Sequence, residues 1–500
     1  MKGKVDWITI VIPFALISVF CALLIVFPST VKEGVNALYA VVTQKFGFVY
    51  LWITLLSFLF CIYLALSKYG KIKLGEGDKE YSEFSWASMI FCASMAAGFL
   101  YWTNIEWTYY YKAPPFGITP FSVEAMEYAG AYPLFHWGPS AWSLYLIPAI
   151  AFAYSFYNRK NSHLDIAGPC LEVFGKKHQI GIRRVFNIIF IIGMIGGAGT
   201  TLGIGTPVTT AALSALFGIE DSGMVRFVTL CVITLIFTLS TYAGIKKGMK
   251  RLSDFNVGLL FAILLCVFIF TDQEFVIRMA STSVGILVSD FFRMSTWMDP
   301  VTGSGFTETW TVFYWAWWLS IALSVGLFIA KISKGRTIRQ VILGCLGYGF
   351  PMTFLFFSVL GGNSMNLFMT QKLDVITALE ENGGAAAVTQ IFSQSPLGNI
   401  VLILVLVASI ILTATTYDSV SHTLAMTSSV NALAGEEPAQ KLRVFWAVSM
   451  AAIPAIMMLF DGTLQEIQTL TIIFTLPVCI LYVIITAALF KMLKQDHPAQ

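Results

Sequence analysis

Residues 310–318 read Trp310-Thr-Val-Phe-Tyr314-Trp-Ala-Trp317-Trp318, inside a long apolar run that stops at the basic stretch Lys331-Ile-Ser-Lys-Gly-Arg-Thr-Ile-Arg339. Helical spacing brings Trp310, Tyr314, Trp317 and Trp318 to one side of the helix. A lipid-facing helix keeps its aromatics at the water interfaces and fills its middle with Leu, Ile and Val. A cluster this dense, running inward, reads in two ways: as an interfacial belt with some packing, or as a box of π-faces. Such boxes hold quaternary ammonium groups, because the ring quadrupole attracts a cation that has no hydrogen to donate. The nine residues alone leave both readings open.

The whole chain supplies the context. Of its 500 residues, 57% are hydrophobic and 12% charged, against roughly 25% charge in a soluble domain. This is the composition of a polytopic all-α membrane protein. A bilayer takes roughly 20 apolar residues to cross. Twelve segments come near or above that length: 7–27, 47–66, 87–110, 137–157, 184–216, 226–244, 254–271, 308–330, 341–361, 398–427, 444–460 and 467–490. The segment 184–216 is too long for one straight span. It holds Gly193, Gly196, Gly197, Gly199, Gly203, Gly205 and Pro207, which predicts tilt, a break, or close packing against another helix. Residues 275–294 mix apolar and charged positions and do not span. They read as an amphipathic helix along the outer interface or as an ordinary outer linker.

Lys and Arg set the orientation. With the N-terminus inside, 24 of the 31 fall on the inner side and 7 on the outer. The asymmetry predicts twelve spans with both ends cytoplasmic. The net charge of +3 thus reflects topology, and nucleic acid is not an expected partner. The eight Cys residues show no metal-binding spacing and read as structural thiols. The first span has charges before it and no small-residue cleavage site, so it reads as a retained helix.

Polar chemistry enters the membrane at three places. The third span runs Cys92-Ala-Ser-Met95-Ala-Ala-Gly98, then Phe99-Leu-Tyr-Trp102-Thr-Asn-Ile-Glu106. Its small residues predict close approach or unwinding, which is tolerated where backbone lines a cavity or binds an ion. Glu106 is expected near the outer end, solvated or paired with backbone amides. The fourth span opens with Leu134-Phe-His136-Trp137-Gly-Pro139. His136 reads as a hydrogen-bonded structural residue, with a proton carrier as the alternative. The tenth span carries Thr413-Ala-Thr415-Thr416-Tyr-Asp418. Asp418 is a functional candidate because charge in a span is costly. Thr415 and Thr416 offer oxygen ligands for a hard cation such as Na⁺, or bond back to their own helix.

On these residues the chain resembles the betaine/carnitine/choline transporter family over nearly its whole length. The strongest match is 310–318 with the basic stretch after it. Ala113-Pro-Pro-Phe-Gly117, Leu134–Pro139, Thr423-Leu-Ala-Met426 and Gly435-Glu-Glu-Pro438 resemble the carnitine branch. The resemblance implies a single transporter domain over 1–500 with a LeuT-like fold. Two extra helices (7–66) would precede two inverted five-helix repeats, 87–271 (spans 3–7) and 308–490 (spans 8–12). The interfacial helix 275–294 would contribute to a homotrimer. By motif position, Tyr109, Trp137, Trp317 and Trp318 would form the central aromatic box, and Trp102, Trp310 and Tyr314 an outer transient site. A Na⁺ site would draw on Thr415 and Thr416 with backbone carbonyls of Cys92, Met95 and Leu412.

There are departures from the sodium-independent carnitine antiporter that the chain otherwise resembles. That antiporter has an Arg where Asn256 stands here, and a Met where Val325 stands. A fixed Arg supplies charge and donors that can stand in for a cation; Asn256 cannot. The expected function is a secondary transporter of trimethylammonium zwitterions (carnitine, γ-butyrobetaine, glycine betaine) in the cytoplasmic membrane, by Na⁺-coupled symport. The alternative is a Na⁺-independent carnitine/γ-butyrobetaine exchanger. No cofactor is expected beyond Na⁺ as coupling ion. No nucleophile motif, metal cluster or paired in-membrane carboxylates point to an enzyme, and no short pore-loop filter points to a channel.

Overall fold

The computed structural model describes residues 4–94, 98–161, 163–175, 179–242, 246–430, 438–459 and 464–498. A backbone in hydrocarbon must satisfy its own hydrogen bonds, so long apolar runs close as helices. The N-terminal pair is α1 (Trp7–Val26) and α2 (Pro28–Leu66). Asp6 caps α1 by accepting from the Ile8 N–H, and Pro28 starts α2, where its missing N–H costs nothing. Next come α3 (Glu83–Ser94), α4 (Phe99–Lys112), α5 (Val123–His136), α6 (Pro139–Ala153) and α7 (Ala167–Phe174). The long α8 (Gln179–Phe217) leads to α9 (Gly223–Tyr242), α10 (Lys246–Phe270), α11 (Gln273–Ser289) and α12 (Phe291–Thr296). The second half holds α13 (Val312–Ile332), α14 (Ile338–Phe356), α15 (Gly362–Met369), α16 (Val375–Asn382) and α17 (Gly384–Ser393). It ends with α18 (Gly398–Thr427), α19 (Gln440–Leu459) and α20 (Leu464–Asp496). A two-residue antiparallel pairing of Lys4–Val5 with Ser429–Val430 ties the start of the chain to the end of α18.

Among the described residues, eight helices are long and apolar enough to cross a membrane, or nine if the bent pair α10–α11 counts as one span. The expected spans 87–110, 137–157 and 226–244 are not among these helices. The first is built of two helices, α3 and α4. The second is α6, which continues through a π-turn, Tyr154–Asn158, and carries Pro148 inside it. In the third, α9 runs Gly223–Tyr242, and residues 243–245 lie outside the described residues.

The glycine-rich α8 resolves its three expectations in favour of close packing. It is one helix of 39 residues with Pro207 inside it. A Cβ at Gly193 would lie 2.4 Å from Val478, and one at Gly197 would lie 2.0 Å from the Ser320 hydroxyl. Only glycine lets α20 and α13 come this near, the small-residue logic of membrane helix packing. The segment expected along the interface is α11, which turns 111° away from α10. Its Val276, Ser283 and Leu287 are buried, while Ile277 and Val288 are exposed. Inside the bundle, α13 is buried along nearly its whole length and packs against α2, α6, α8 and α20. The same helix carries the aromatic run.

Candidate functional site

Three chain segments bring the aromatic side chains together: α4 with Trp102 and Tyr109, the α5–α6 junction with Trp137, and α13 with its preceding turn. Trp137 stands at a sharp corner. Its N–H donates to the Pro133 carbonyl at 3.0 Å as α5 ends, and Pro139 starts α6 two residues later. Between them, a Cβ on Gly138 would meet the Leu134 carbonyl oxygen at 2.2 Å, so the corner requires glycine. On the other side, Trp310 and Thr311 lie in a π-turn, Thr307–Thr311, that opens α13. Another π-turn, Phe357–Gly361, carries Phe357 against the Trp137 ring at 5.2 Å. Such one-turn widenings re-aim side chains and recur at functional sites.

The rings touch in a continuous cluster. Trp317 and Trp318 stack with centres 4.8 Å apart and planes 11° from parallel. Trp137 meets both edge-on, at 5.9 Å and 4.7 Å. Tyr109, the remaining expected wall of the central box, lies 4.7 Å from Trp310 and 6.2 Å from Trp102, beside residues expected in the outer site. Tyr314, expected outside, lies 5.9 Å from Trp137, 6.2 Å from Trp317, 6.1 Å from Trp318 and 5.7 Å from Trp102. It therefore bridges the two groups. Tyr314 and Trp317 are fully buried, and Trp310, the most exposed tryptophan of the set, is only 7% exposed. The indole N–H groups of Trp102 and Trp317 are buried without a partner among the described residues.

Behind Trp137 sits a polar chain that sequence reasoning misplaced. Glu106 is not solvated near an outer end: it is 1% exposed, and side chains, not backbone amides, satisfy it. The Tyr110 hydroxyl donates to one carboxyl oxygen at 2.7 Å, and the Trp137 indole N–H donates to the other at 2.9 Å. Glu106 and Tyr110 are one turn apart on α4, so the i,i+4 spacing was the available signal. His136 has both ring nitrogens in use, 2.9 Å from the Tyr110 hydroxyl and 3.2 Å from the Thr311 hydroxyl. Its carbonyl accepts from the Trp318 indole N–H at 2.9 Å. His136 is thus a hydrogen-bonded residue that fixes two walls of the cluster.

The residues expected around Na⁺ are arranged differently. The hydroxyls of Thr415 and Thr416 both donate to the Leu412 carbonyl, at 3.0 Å and 2.9 Å. A donating hydroxyl keeps its lone pairs for a cation. Of Cys92 only the helical backbone is described, and Met95 lies outside the described residues. Asn256 is 4% exposed on α10, which packs against α18, and its carboxamide oxygen has no partner among the described residues. Asp418 is paired with Arg443 of α19.

A buried aromatic cluster at the heart of a polytopic helical bundle suits a membrane protein that accepts an organic cation. The comparison with known families is specific: the model of the betaine/carnitine/choline transporter family matches residues 8–498. The chain belongs to that family, and so to the transporters rather than the enzymes. It is 35% identical over 436 residues to an uncharacterized transporter, YeaV, of Escherichia coli, covering 87% of this chain and 91% of that one. It is 34% identical over 444 residues to a carnitine transporter of Acinetobacter baumannii, covering 88% of this chain and 80% of the relative. Among solved structures, a Na⁺-coupled sialic acid symporter aligns over 83% of this chain and 80% of its own, with TM-score 0.43 and 13% identity. That likeness is too distant to bear on substrate or coupling.

Proposed function

We propose that the chain is a secondary transporter of trimethylammonium zwitterions such as carnitine, γ-butyrobetaine or glycine betaine, coupled to Na⁺. The convergence of Trp137, Trp317 and Trp318 carries this reading. Three indole faces from two chain segments meet in a buried place where a quaternary ammonium gains cation–π attraction and needs no hydrogen-bond acceptor. Tyr109 completes the set in this reading, with Trp102, Trp310 and Tyr314 as a transient outer stop. The partnerless indole N–H groups of Trp102 and Trp317, with backbone amides near Gly98, suit the carboxylate end. Twelve spans in a LeuT-like arrangement belong to the same proposal, with both termini cytoplasmic, extra helices at 7–66 and repeats at 87–271 and 308–490. So does a homotrimer in the cytoplasmic membrane with α11 and α12 at the contacts; Ile277 and Val288 of α11 and Phe292 of α12 are exposed there.

For the ion, the supporting observation is the Asn256 carboxamide oxygen, buried and partnerless on a helix that packs against α18. With Thr415, Thr416 and the carbonyls of Leu412, Cys92 and Met95 it makes an all-oxygen set that suits a hard cation. Na⁺ would supply a positive charge that lets the membrane potential drive a net-neutral zwitterion, at about 2.3 kcal/mol per charge per 100 mV. The second reading is a Na⁺-independent exchanger, favoured by the carnitine-branch motifs. Uptake into proteoliposomes separates the two. Symport predicts acceleration by an inward Na⁺ gradient. Full uptake without Na⁺, stimulated by substrate inside, makes the chain an exchanger. No uptake of any trimethylammonium zwitterion would refute the proposal.

A further inference from the structure

Far from the aromatic cluster, on the side the Lys and Arg count assigns to the cytoplasm, a guanidinium is buried. Arg336, in the short link between α13 and α14, is only 1% exposed. Its Nη1 donates to Glu83 Oε2 at 2.6 Å, and its Nη2 donates to the Tyr81 carbonyl at 3.2 Å. The planar group lies 4.0 Å over the Trp86 ring. Glu83 and Trp86 both belong to α3. The rest of the surroundings hold these groups in register. The Trp86 indole N–H donates to the Ser333 hydroxyl at 3.1 Å. Tyr348 of α14 donates to the other Glu83 oxygen at 3.4 Å. A Cβ on Gly344 would lie 2.3 Å from the Trp86 ring, so α14 presses directly on it. The Arg336 carbonyl itself accepts from the Leu74 N–H at 2.8 Å, which pins the link to the loop before α3.

The placement of this clamp matters. It joins the end of α13, the helix that carries Trp317 and Trp318, to α3, the first of the two helices that make up span 87–110. The second, α4, carries Trp102 and Tyr109. Midplane sites flanked by interrupted helices open to one side at a time, by movement of one part of the bundle against another. A buried planar guanidinium that divides its donors between a carboxylate and a backbone carbonyl and stacks on a ring is a geometry-dependent tie. Glu83 is half exposed at its side chain, so water can take over that carboxylate when the tie opens.

We infer that Arg336 is a positioning residue for transport: it clamps α3 to the α13–α14 link and so keeps the cytoplasmic side of the aromatic site shut. This rests on the transporter reading above. Three measurements on the full-length protein test it: equilibrium binding of labelled glycine betaine, its uptake into proteoliposomes, and hydrogen exchange resolved by helix. For Arg336→Ala, substrate affinity should stay within about threefold of wild type while uptake falls roughly tenfold or more. Amides of α3 should exchange at least roughly ten times faster while those of α4 and α13 keep their protection. Arg336→Lys keeps the charge but not the fork and should recover little; Glu83→Gln, which keeps the shape of the pair, should give a smaller change in the same direction and serves if Arg336→Ala does not fold. Unchanged uptake with unchanged α3 exchange in Arg336→Ala or Glu83→Gln would overturn the inference. So would faster exchange spread evenly over all helices, which marks a merely structural residue. A wild-type protein that neither binds nor moves the zwitterion would refute the transporter reading instead, and the exchange measurement would still decide whether Arg336 clamps α3.

Discussion

The aromatic cluster on α4, α13 and the α5–α6 corner contrasts with the polar set on α10 and α18. In the first, side chains from separate segments meet each other: Trp137 reaches Trp318 at 4.7 Å, and Tyr109 reaches Trp310 at 4.7 Å. In the second, Thr415 and Thr416 turn to the nearest carbonyl of their own helix, and the Asn256 oxygen has no partner among the described residues. The difference is chemical. An indole face has no partner within its own helix, so burial can satisfy it only against another segment or a ligand. A hydroxyl always has the carbonyl one turn back. Ring clusters therefore declare a site in the apo fold. Hydroxyl sites stay hidden in ordinary helix geometry until a cation competes for their lone pairs.

That contrast can be broken most readily at the rings. Trp317→Ala or Trp318→Ala should weaken binding of glycine betaine roughly 30-fold, since a desolvated cation–π contact is worth about 2 kcal/mol and about 1.4 kcal/mol is tenfold. Equilibrium binding to purified, folded variants reads this directly, and wild-type affinity in both would remove the box. Next in size is the support behind the cluster. Glu106→Ala leaves the Trp137 indole N–H buried without its acceptor, which costs about 1–3 kcal/mol, and should weaken binding by about tenfold. Glu106→Gln, which keeps an oxygen in place, should lose less; equal losses would show that the carboxyl does more than hold the ring.

The polar set should respond more mildly and to a different variable. If the proposed Na⁺ site holds, Thr416→Ala removes one of its oxygens and should raise the sodium concentration for half-maximal uptake about fivefold, the effect of about 1 kcal/mol. Binding of substrate at saturating sodium should hold. A change in substrate affinity with no change in sodium dependence would place Thr416 with the rings rather than with an ion. Smallest is the effect of single methyl groups. Competition should weaken in the order glycine betaine, dimethylglycine, glycine. The first step, which removes one methyl, costs roughly fourfold and the second, which removes two, roughly fifteenfold, if every buried methyl contributes about 0.8 kcal/mol. Equal competition by all three would point to an ordinary amino-acid site.

The sequence reading succeeded where side-chain type alone dictates the outcome. The run 310–318 offered a cluster of π-faces as one of two readings, and the glycines of 184–216 offered close packing as one of three; the structure selects burial and close packing. It missed what depends on helix rotation and helix ends. Glu106 looked terminal because it is charged and followed by Tyr109, Tyr110 and Tyr111. Yet α4 turns it inward, where Tyr110 and Trp137 neutralise its hydrogen-bonding demand. The contacts of Tyr314 with Trp317 and Trp318 follow from helical spacing; its contacts with Trp102 and Trp137 depend on how separate segments pack, which periodicity could not announce. The spans 87–110 and 137–157 read as uniform by hydropathy, but the turn at Gly98 before α4 and the π-turn after Ala153 are set by backbone geometry, not by apolarity. The Arg336 clamp was visible only as a basic stretch, because its partners Glu83 and Trp86 lie some 250 residues away in the chain.

The account stands or falls on the positive charge of the ligand, and one comparison isolates it. Binding of a trimethylammonium carboxylate is measured against its neutral isostere, in which a tert-butyl carbon replaces the nitrogen. Size, shape and apolar area are nearly the same, so the rings distinguish the two only through the cation. The account predicts that the isostere binds roughly 30-fold more weakly, the worth of one desolvated cation–π contact or more. Equal affinity for the two would mean that the cluster is an apolar pocket and not a cation site.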